Sequence, residues 1–307
     1  LMVHALVKDL AGVPGVTVTV ARDRRLPAPD LPVHPAWFDG VEGDAWRFWE
    51  SCIEAADAVW PIAPETDGAL ERLSRLVLER GRTLLGCTPE SVRLTASKLA
   101  TARHLETCGV PVVPSWPGDG PVAARFDGGW VLKPDDGAGC EETAMLERPE
   151  AASRVVPAGR LGRYVLQPYL AGTPASLSLI CRDGEAVLLS CNRQLVTRRD
   201  GVLRYTGSIV GGMEHRRVDF QPLAAAVARS IPGLWGHVGI DVVDGAEGPV
   251  VVEINPRLTS SYAGLAEASG TNPAARVLAL LDGAPSSLSR RVASVRPVTV
   301  EVGPDHG

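Results

Sequence analysis

The alternation of apolar and polar positions divides the chain into two regimes. Through about residue 90 it switches between helical and strand periods. "LMVHALVKDLAGVPG" places apolar residues at helical spacing and stops at Gly12, Pro14 and Gly15, and "VTVTVA" then alternates as a strand does. Helices are predicted around "WRFWESCIEAA" and "GALERLSRLVLERG", with short strands at "DAVWPIA" and "RTLLG". Such alternation argues for a small, mostly parallel sheet. An α/β unit normally enters its first helix from a strand, and none precedes Leu1, so a first strand is expected to lie ahead of the numbering.

The segment "TPESVRLTASKLATARHLETCG" predicts helix starts capped by Thr88 and Thr95 and an end at Gly109, followed by the proline-rich connection "VPVVPSWPGDGP". Beyond it the pattern is mostly strand: "GWVLKPDDGAGCEET", "RYVLQPYL", "ASLSLICRDGEAVLLSCNRQLV" and "VGIDVVDGAEGPVVVEIN". Asp183-Gly184 is a hairpin turn signal. Helices are predicted at "FQPLAAAVARSIPGL" and "NPAARVLALLDG", and the tail "RRVASVRPVTVEVGPDHG" offers an edge strand. The expected class is α/β, with α+β character in the C-terminal part.

A length of 307 residues points to two or three subdomains. Hydrophobic residues at 45% and charged residues at 22% are the balance of a soluble globular protein. A net charge of −5 without a basic cluster argues against a nucleic-acid partner, and no apolar run reaches membrane-spanning length. Six cysteines without CxxC spacing suit reduced thiols better than disulfides or zinc. The expectation is a cytoplasmic protein with small-molecule partners, compatible with a homodimer.

Candidate chemistry concentrates in "VVVEINPRLTSSYAGL". Side chains alternate along a strand, so Glu253 and Asn255 share one face. The preceding strand "VGIDVV" joins this one through a turn around Gly245 to Gly248, which sets Asp241 opposite Glu253 or one residue away. Two carboxylates and an amide oxygen so close call for a cation, and hard oxygens favour Mg²⁺ or Mn²⁺ over zinc. Arg257 follows at the rim. Exposed acids at two ordinary strand ends are the plainer alternative, and the combined pattern outweighs it.

A divalent cation with few protein ligands usually waits for phosphate oxygens. "WVLKPDDGAGCEE" supplies Lys133 and then a loop whose Gly137 and Gly139 can turn backbone N–H groups toward an anion. It is neither a Walker loop nor G-x-G-x-x-G, and alone such a turn is most often only a turn. Lys98, upstream on a helix, would by itself be surface. "LQPYLAG" leads a strand into a glycine bend, where Gln167 and the backbone near Leu170 fit an adenine edge about as well as a plain strand end. Asn192 and Arg193 end a hairpin strand facing the same region. The loops 135–140 and 205–212 are candidates to close over phosphates or substrate. The histidines His4, His34, His104, His215 and His237 show no metal spacing, and no Ser-His-Asp or Cys-His pairing can be argued.

"VLKPDDGAG", "LQPYLAG", "GIDVV" and "VVVEINPR" together resemble the ATP-grasp superfamily of carboxylate–amine ligases, in that family's order, over about residues 94 to 265. The resemblance implies an N-terminal α/β domain over 1–90, then two β-rich lobes, 91–170 and 171–307, that clamp ATP. By position it places Lys98 and Lys133 on ATP phosphates, Gln167 and Leu170 on adenine, and Asp241, Glu253 and Asn255 on Mg²⁺. Arg257 would stabilise an acyl phosphate or its transition state. Many members carry an acidic ribose ligand just after the hinge; "LAGTPASLSL" has none, so that ligand stays unassigned.

"IAPETDGALERL", "LLGCTPESVRLTASKLAT", "NRQ" and "EINPRLTSSYAGL" more narrowly resemble the tyramine–L-glutamate ligases of methanofuran biosynthesis and their bacterial relatives in one-carbon metabolism. This makes Glu65, Thr66, Asp67, Thr259, Ser260 and Ser261 candidate substrate-side residues, although "PETDG" reads equally well as a helix N-terminus with favourable acids. The implied activity is amide formation between the γ-carboxylate of L-glutamate and an aryl-ethylamine through an acyl phosphate. The alternatives are an amino-acid or peptide ligase of another pathway and, ranked last, a nucleotide-binding regulator without turnover.

Overall fold

The computed structural model describes residues 1–307 apart from 28–29, 32, 41–43, 123–125, 127, 138–141, 200–201, 283–293 and 304–307. The first part runs α1 (Met2–Ala11), β1 (Thr19–Asp23), β2 (His34–Phe38), α2 (Ala45–Glu54), β3 (Ala58–Val59), α3 (Ala69–Glu79) and β4 (Thr83–Leu84). Its strands pair in parallel as predicted, but as two separate ladders, β1 with β2 and β3 with β4. Pro61 and Pro64 lie two and five residues past the end of β3, and residues without an N–H cannot extend a ladder.

The helical stretch after Thr88 is two helices, α4 (Pro89–Ala96) and α5 (Lys98–Thr107), broken at an extended Ser97. Thr88 caps α4 by accepting from Ser91 N. Thr95 is not a cap: it lies inside α4, where its hydroxyl donates to Ser91 O, and Ser97 caps α5 instead by accepting from Ala100 N. The break turns the first residue of α5, Lys98, inward.

Next come β5 (Trp116–Pro117), β6 (Trp130–Pro134), β7 (Ala144–Leu146), α6 (Ala152–Val155) and β8 (Tyr164–Pro168), around a small core that includes Trp130, Leu132, Tyr164 and Leu166. The last part comprises β9 (Thr173–Arg182), β10 (Glu185–Arg199), β11 (Val202–Val210), α7 (Arg217–Ser230), β12 (Gly236–Gly245), β13 (Gly248–Asn255), α8 (Tyr262–Ser269), α9 (Pro273–Leu278) and β14 (Val298–Glu301). Among the described residues one ten-stranded sheet links both parts in the order β13-β12-β9-β10-β11-β7-β6-β8-β5, with β14 on β11. Among the described residues the two halves share one ladder pair, Val202 with Ala144, and the segment leading into β5 adds a parallel bridge from Val112 to Val251 of β13. The predicted hairpin turn is present, with Asp183 at φ 51° and Gly184 at φ 80°, the two left-handed residues a type I′ turn needs.

Residues 205–210 are not a loop. They form β11, paired with β10 on one edge and β14 on the other, and only Gly211 and Gly212 turn. Gly207 serves this pairing: at φ 143°, an added Cβ would lie 2.2 Å from Val300 O, so the residue read as a loop signal marks a close backbone approach.

Alternation along β9 separates core from site. Ala175, Leu177, Leu179 and Cys181 pack with Phe220 and Val227 of α7, whereas Ser176, Ser178 and Ile180 face the other way. On that second face α1, α8 and α9 close over Ile180 and Leu189 with Leu6, Leu10, Tyr262, Leu265 and Val277. The rest of the face stays open.

Candidate active site

The open face floors a cavity of about 610 Å³ that the β6–β8 half roofs. Across the floor the strands present Glu253 and Asn255 (β13), Asp241 (β12), Ser176 (β9), Gln194 (β10) and Tyr205 (β11). Asp241 pairs directly with Glu253, and the register slips at the next step, so Val242 faces Val251. This bulge lets Val252 and Glu253 both line the cavity while Val251 and Ile254 stay in the core. Asn255 Nδ2 donates to Asp241 Oδ2 at 3.5 Å, leaving the amide oxygen as its remaining acceptor.

The acids do not share their charge evenly. Burial first, and then the negative charge of Glu253, push the Asp241 carboxyl well above its ordinary value, against a hydrogen bond with Gln194. Burial opposes the Glu253 carboxylate too, but Lys98 and Lys133 outweigh it and hold that group below its ordinary value. Lys98 Nζ lies 3.7 Å from Glu253 Oε2 and donates to Gly137 O at 2.5 Å and Asp135 O at 3.3 Å. Lys98 is therefore buried at the site, not on the surface. Lys133 is buried on the same cavity wall. The two carboxylates and one amide oxygen are a hard, incomplete donor set, and among the described residues no third His, Cys, Asp or Glu completes it. Such a set fits Mg²⁺ or Mn²⁺ with the remaining positions left for phosphate and water.

On the roof, Gln167 is buried, donates from Nε2 to Ser115 Oγ at 2.8 Å, and lines the cavity with Leu170. Gly172 forms the bend below them: a Cβ there would lie 2.6 Å from Val243 Cγ1 and 2.7 Å from Asp244 O, so β9 can start this close to β12 only from glycine. Gly137 lines the cavity too, while Gly139 lies outside the described residues, as does the 138–140 half of the proposed 135–140 loop.

The N-terminal segment 65–67 reaches this loop. Thr66 Oγ1 donates to Asp136 O at 3.2 Å, and Arg163 Nη2 lies 3.4 Å from Asp67 Oδ1. Neither Thr66 nor Asp67 lines the main cavity, and Asp67 is exposed. Glu65 is buried, with Oε2 accepting from Arg257 Nε at 2.9 Å and Oε1 without a hydrogen-bond partner among the described residues. Arg257, Thr259, Ser260 and Ser261 all line the cavity. Their hydroxyls form two separate pairs: Thr259 Oγ1 is 2.9 Å from Ser261 Oγ, and Tyr205 Oη is 2.5 Å from Ser260 Oγ.

Two expected residues are elsewhere. Asn192 is fully buried, its Nδ2 donating to Ser176 and Ser178 hydroxyls and its Oδ1 accepting from Gly211 N, so nothing remains for a ligand. Arg193 is exposed and does not line the cavity, because it shares the parity opposite to Gln194 on β10. Gln194 holds the inward position next to it. Period-2 counting from the hairpin turn would have found it, were it not for a bulge between Leu188 and Ser190.

The family described as "ATP-grasp domain" matches residues 95–261, and "pre ATP-grasp 3 domain" matches 16–92. The chain belongs to the ATP-grasp family. Among curated proteins, the tyramine–L-glutamate ligase of Methanocaldococcus jannaschii is 27% identical over 226 residues, 72% of this chain and 60% of that protein. The corresponding ligase of Methanocaldococcus fervens is 27% identical over 218 residues, 69% of this chain and 62% of that one. The chain thus spans somewhat under two thirds of the relatives it matches. An ATP-grasp superfamily protein from Archaeoglobus fulgidus superposes with a TM-score of 0.64 at 24% identity, covering 89% of this chain and 75% of that one. An L-amino acid ligase from Bacillus licheniformis gives 0.69 at 15% identity, covering 95% and 71%. Those two likenesses show the ATP-grasp fold. No described helix is long and apolar enough to cross a membrane.

Proposed function

We propose that this ATP-grasp chain is an ADP-forming carboxylate–amine ligase that joins the γ-carboxylate of L-glutamate to tyramine, or to a related aryl-ethylamine, in the cytoplasmic synthesis of methanofuran. One observation carries the reading. Two strand-borne carboxylates and an amide oxygen face Lys98, Lys133 and Arg257 across one cavity. That is the charge pattern for holding a triphosphate against an acid. The named relatives support the choice of substrates.

In the proposed reaction an oxygen of the substrate carboxylate attacks the γ-phosphorus of ATP. An acyl phosphate forms and ADP leaves. The amine nitrogen then attacks the acyl carbon, the C–O bond to phosphate breaks, and the nitrogen loses a proton. No residue becomes covalently attached, so the chain contributes position and charge. Lys133 and Lys98 hold phosphate oxygens, Gln167 and the Leu170 backbone hold adenine, and Arg257 faces the charge that builds on the transferring group. Asp241, Glu253 and the Asn255 oxygen would hold Mg²⁺ or Mn²⁺, which neutralises phosphate charge when bound. Glu65 fixes the direction of the Arg257 guanidinium. The roof must exclude water, since an acyl phosphate hydrolyses.

The test is ADP release from Mg·ATP and L-glutamate, with and without tyramine, followed by mass analysis of the product. Tyramine-dependent release, a product equal to both substrates minus water, and its loss in Glu253→Gln with unchanged melting are the expected results. Release that requires another acid or amine keeps the ligase and discards these substrates. No release over a panel of acids and amines removes the ligase reading.

A further inference from the structure

Among the described residues four cationic side chains line the cavity: Lys98, Lys133, Arg198 and Arg257. Three already serve the reacting corner. Lys98 sits 3.7 Å from Glu253, Lys133 acts on the same acid pair, and Arg257 is 2.9 Å from Glu65. Arg198 stands apart: it is exposed at the cavity mouth and makes no ion pair among the described residues.

Its place on the strand gives it meaning. Gln194, Val196 and Arg198 alternate onto the cavity face of β10, and opposite them on β11 Tyr205 pairs with Val196 and Leu203 with Arg198. Gln194 bonds to Asp241, at the reacting corner. Four residues of strand from Gln194 to Arg198 span roughly 13 Å. A long guanidinium side chain can lean back over Val196 and shorten that gap. Outward from the acid pair, the wall therefore reads polar, apolar, cationic.

That order complements a short acid carrying a second, unreactive carboxylate. The reacting carboxyl must lie beside Arg257 and the phosphates. A second carboxylate cannot stay there, against Asp241, Glu253 and a triphosphate, without a cation of its own. We propose that Arg198 binds this second carboxylate, the α-carboxylate of the amino-acid substrate, and so selects which of the two carboxyl groups is presented for phosphorylation. This assignment rests on the ligase reading above and adds to it a residue that sets specificity for a dicarboxylic amino acid.

The test compares two acids in wild type, Arg198→Met and Arg198→Lys. L-Glutamate carries both carboxylates, whereas 4-aminobutanoate keeps the reacting carboxyl and the amine and lacks the other. Methionine keeps the apolar stem without the charge, and thermal melting checks that the variants fold. The expected result in Arg198→Met is a KM for L-glutamate raised about tenfold or more, with kcat little changed. The KM for 4-aminobutanoate should not move, and Arg198→Lys should recover part of the loss. If wild type does not turn over 4-aminobutanoate, its inhibition constant against L-glutamate is read in the same way. An unchanged KM for L-glutamate in Arg198→Met, or an equal rise for both acids, overturns the assignment. Wild type that releases no ADP with L-glutamate and any amine removes the choice of L-glutamate, and this assignment with it, whereas no release over a panel of acids and amines removes the ligase reading itself.

Discussion

Glu65 and Arg257 are 192 residues apart in the chain and 2.9 Å apart in the fold. Nothing local in "PETDG" announces the pairing, because the partner arrives through tertiary packing. Asp241 and Glu253 were legible for the opposite reason: one hairpin turn and strand alternation fix both their face and their register. Asn192 was misread because a polar residue at a strand end looks like a site, although here it satisfies buried hydroxyls. His237 shows what residue-scale burial does to titration. It packs edge-on against Tyr262, with Nδ1 3.3 Å from Arg257 O and Nε2 without a partner among the described residues. Burial lowers its pKa from 6.5 to about 4, against the pull of the Arg257 carbonyl. The native state therefore keeps this ring neutral while the unfolded chain takes up a proton below pH 6.5. Its contribution is fully present above that value and declines as pH falls toward about 4, below which it is flat. Urea unfolding should show about 2 kcal/mol less stability from this group near pH 5 than near pH 7, and His237→Gln should flatten that part of the profile. An equally steep profile in the variant would assign the loss to other groups.

At the scale of elements, strands and helices were readable wherever a period ran long enough, and least readable where a single residue decided geometry. The continuous helical pattern from Thr88 to Gly109 conceals the break at Ser97, since Ser and Thr occur throughout it and any of them can cap. Ser97 decides where Lys98 points: its hydroxyl accepts from Ala100 N and starts α5 beside the glycine loop, where Lys98 N also donates to Asp135 O. Removing the cap should fray that first turn. Ser97→Ala is expected to lose about 1 kcal/mol in chemical denaturation and to raise KM for ATP more than KM for the acid, because Lys98 rides on the frayed turn. An equal rise for both substrates, or none, would detach the cap from nucleotide binding.

Over the whole molecule, the sheet is continuous yet unevenly joined. Among the described residues its two halves share one ladder pair, Val202 with Ala144, the bridge from Val112 to Val251 and the bend at Gly172, while segment 65–67 ties the glycine loop and Arg163 to the N-terminal part through Thr66 and Asp67. The sequence could not show this, because each half has its own apolar pattern and the described junction consists of single pairings. The larger half is held by the α7 core and by the α1, α8 and α9 layer, whereas the β6–β8 half has only its small core around Trp130 and Leu166. Local opening draws on the less buried unit first. A nucleotide lying between Lys133 and Gln167 above and Asp241 and Glu253 below would bridge the weak junction with contacts to both halves. Mg·ADP at a hundred times its Kd should then stabilise the fold by about 2.7 kcal/mol. Amide exchange locates the weak unit: without nucleotide, 130–168 and the Gly172 bend should exchange at a lower free energy than strands β9 and β12, and Mg·ADP should raise protection in both, because either opening releases the nucleotide. Equal exchange free energies in the two halves without nucleotide would mean that they open together, and that the narrow junction is not where the molecule yields.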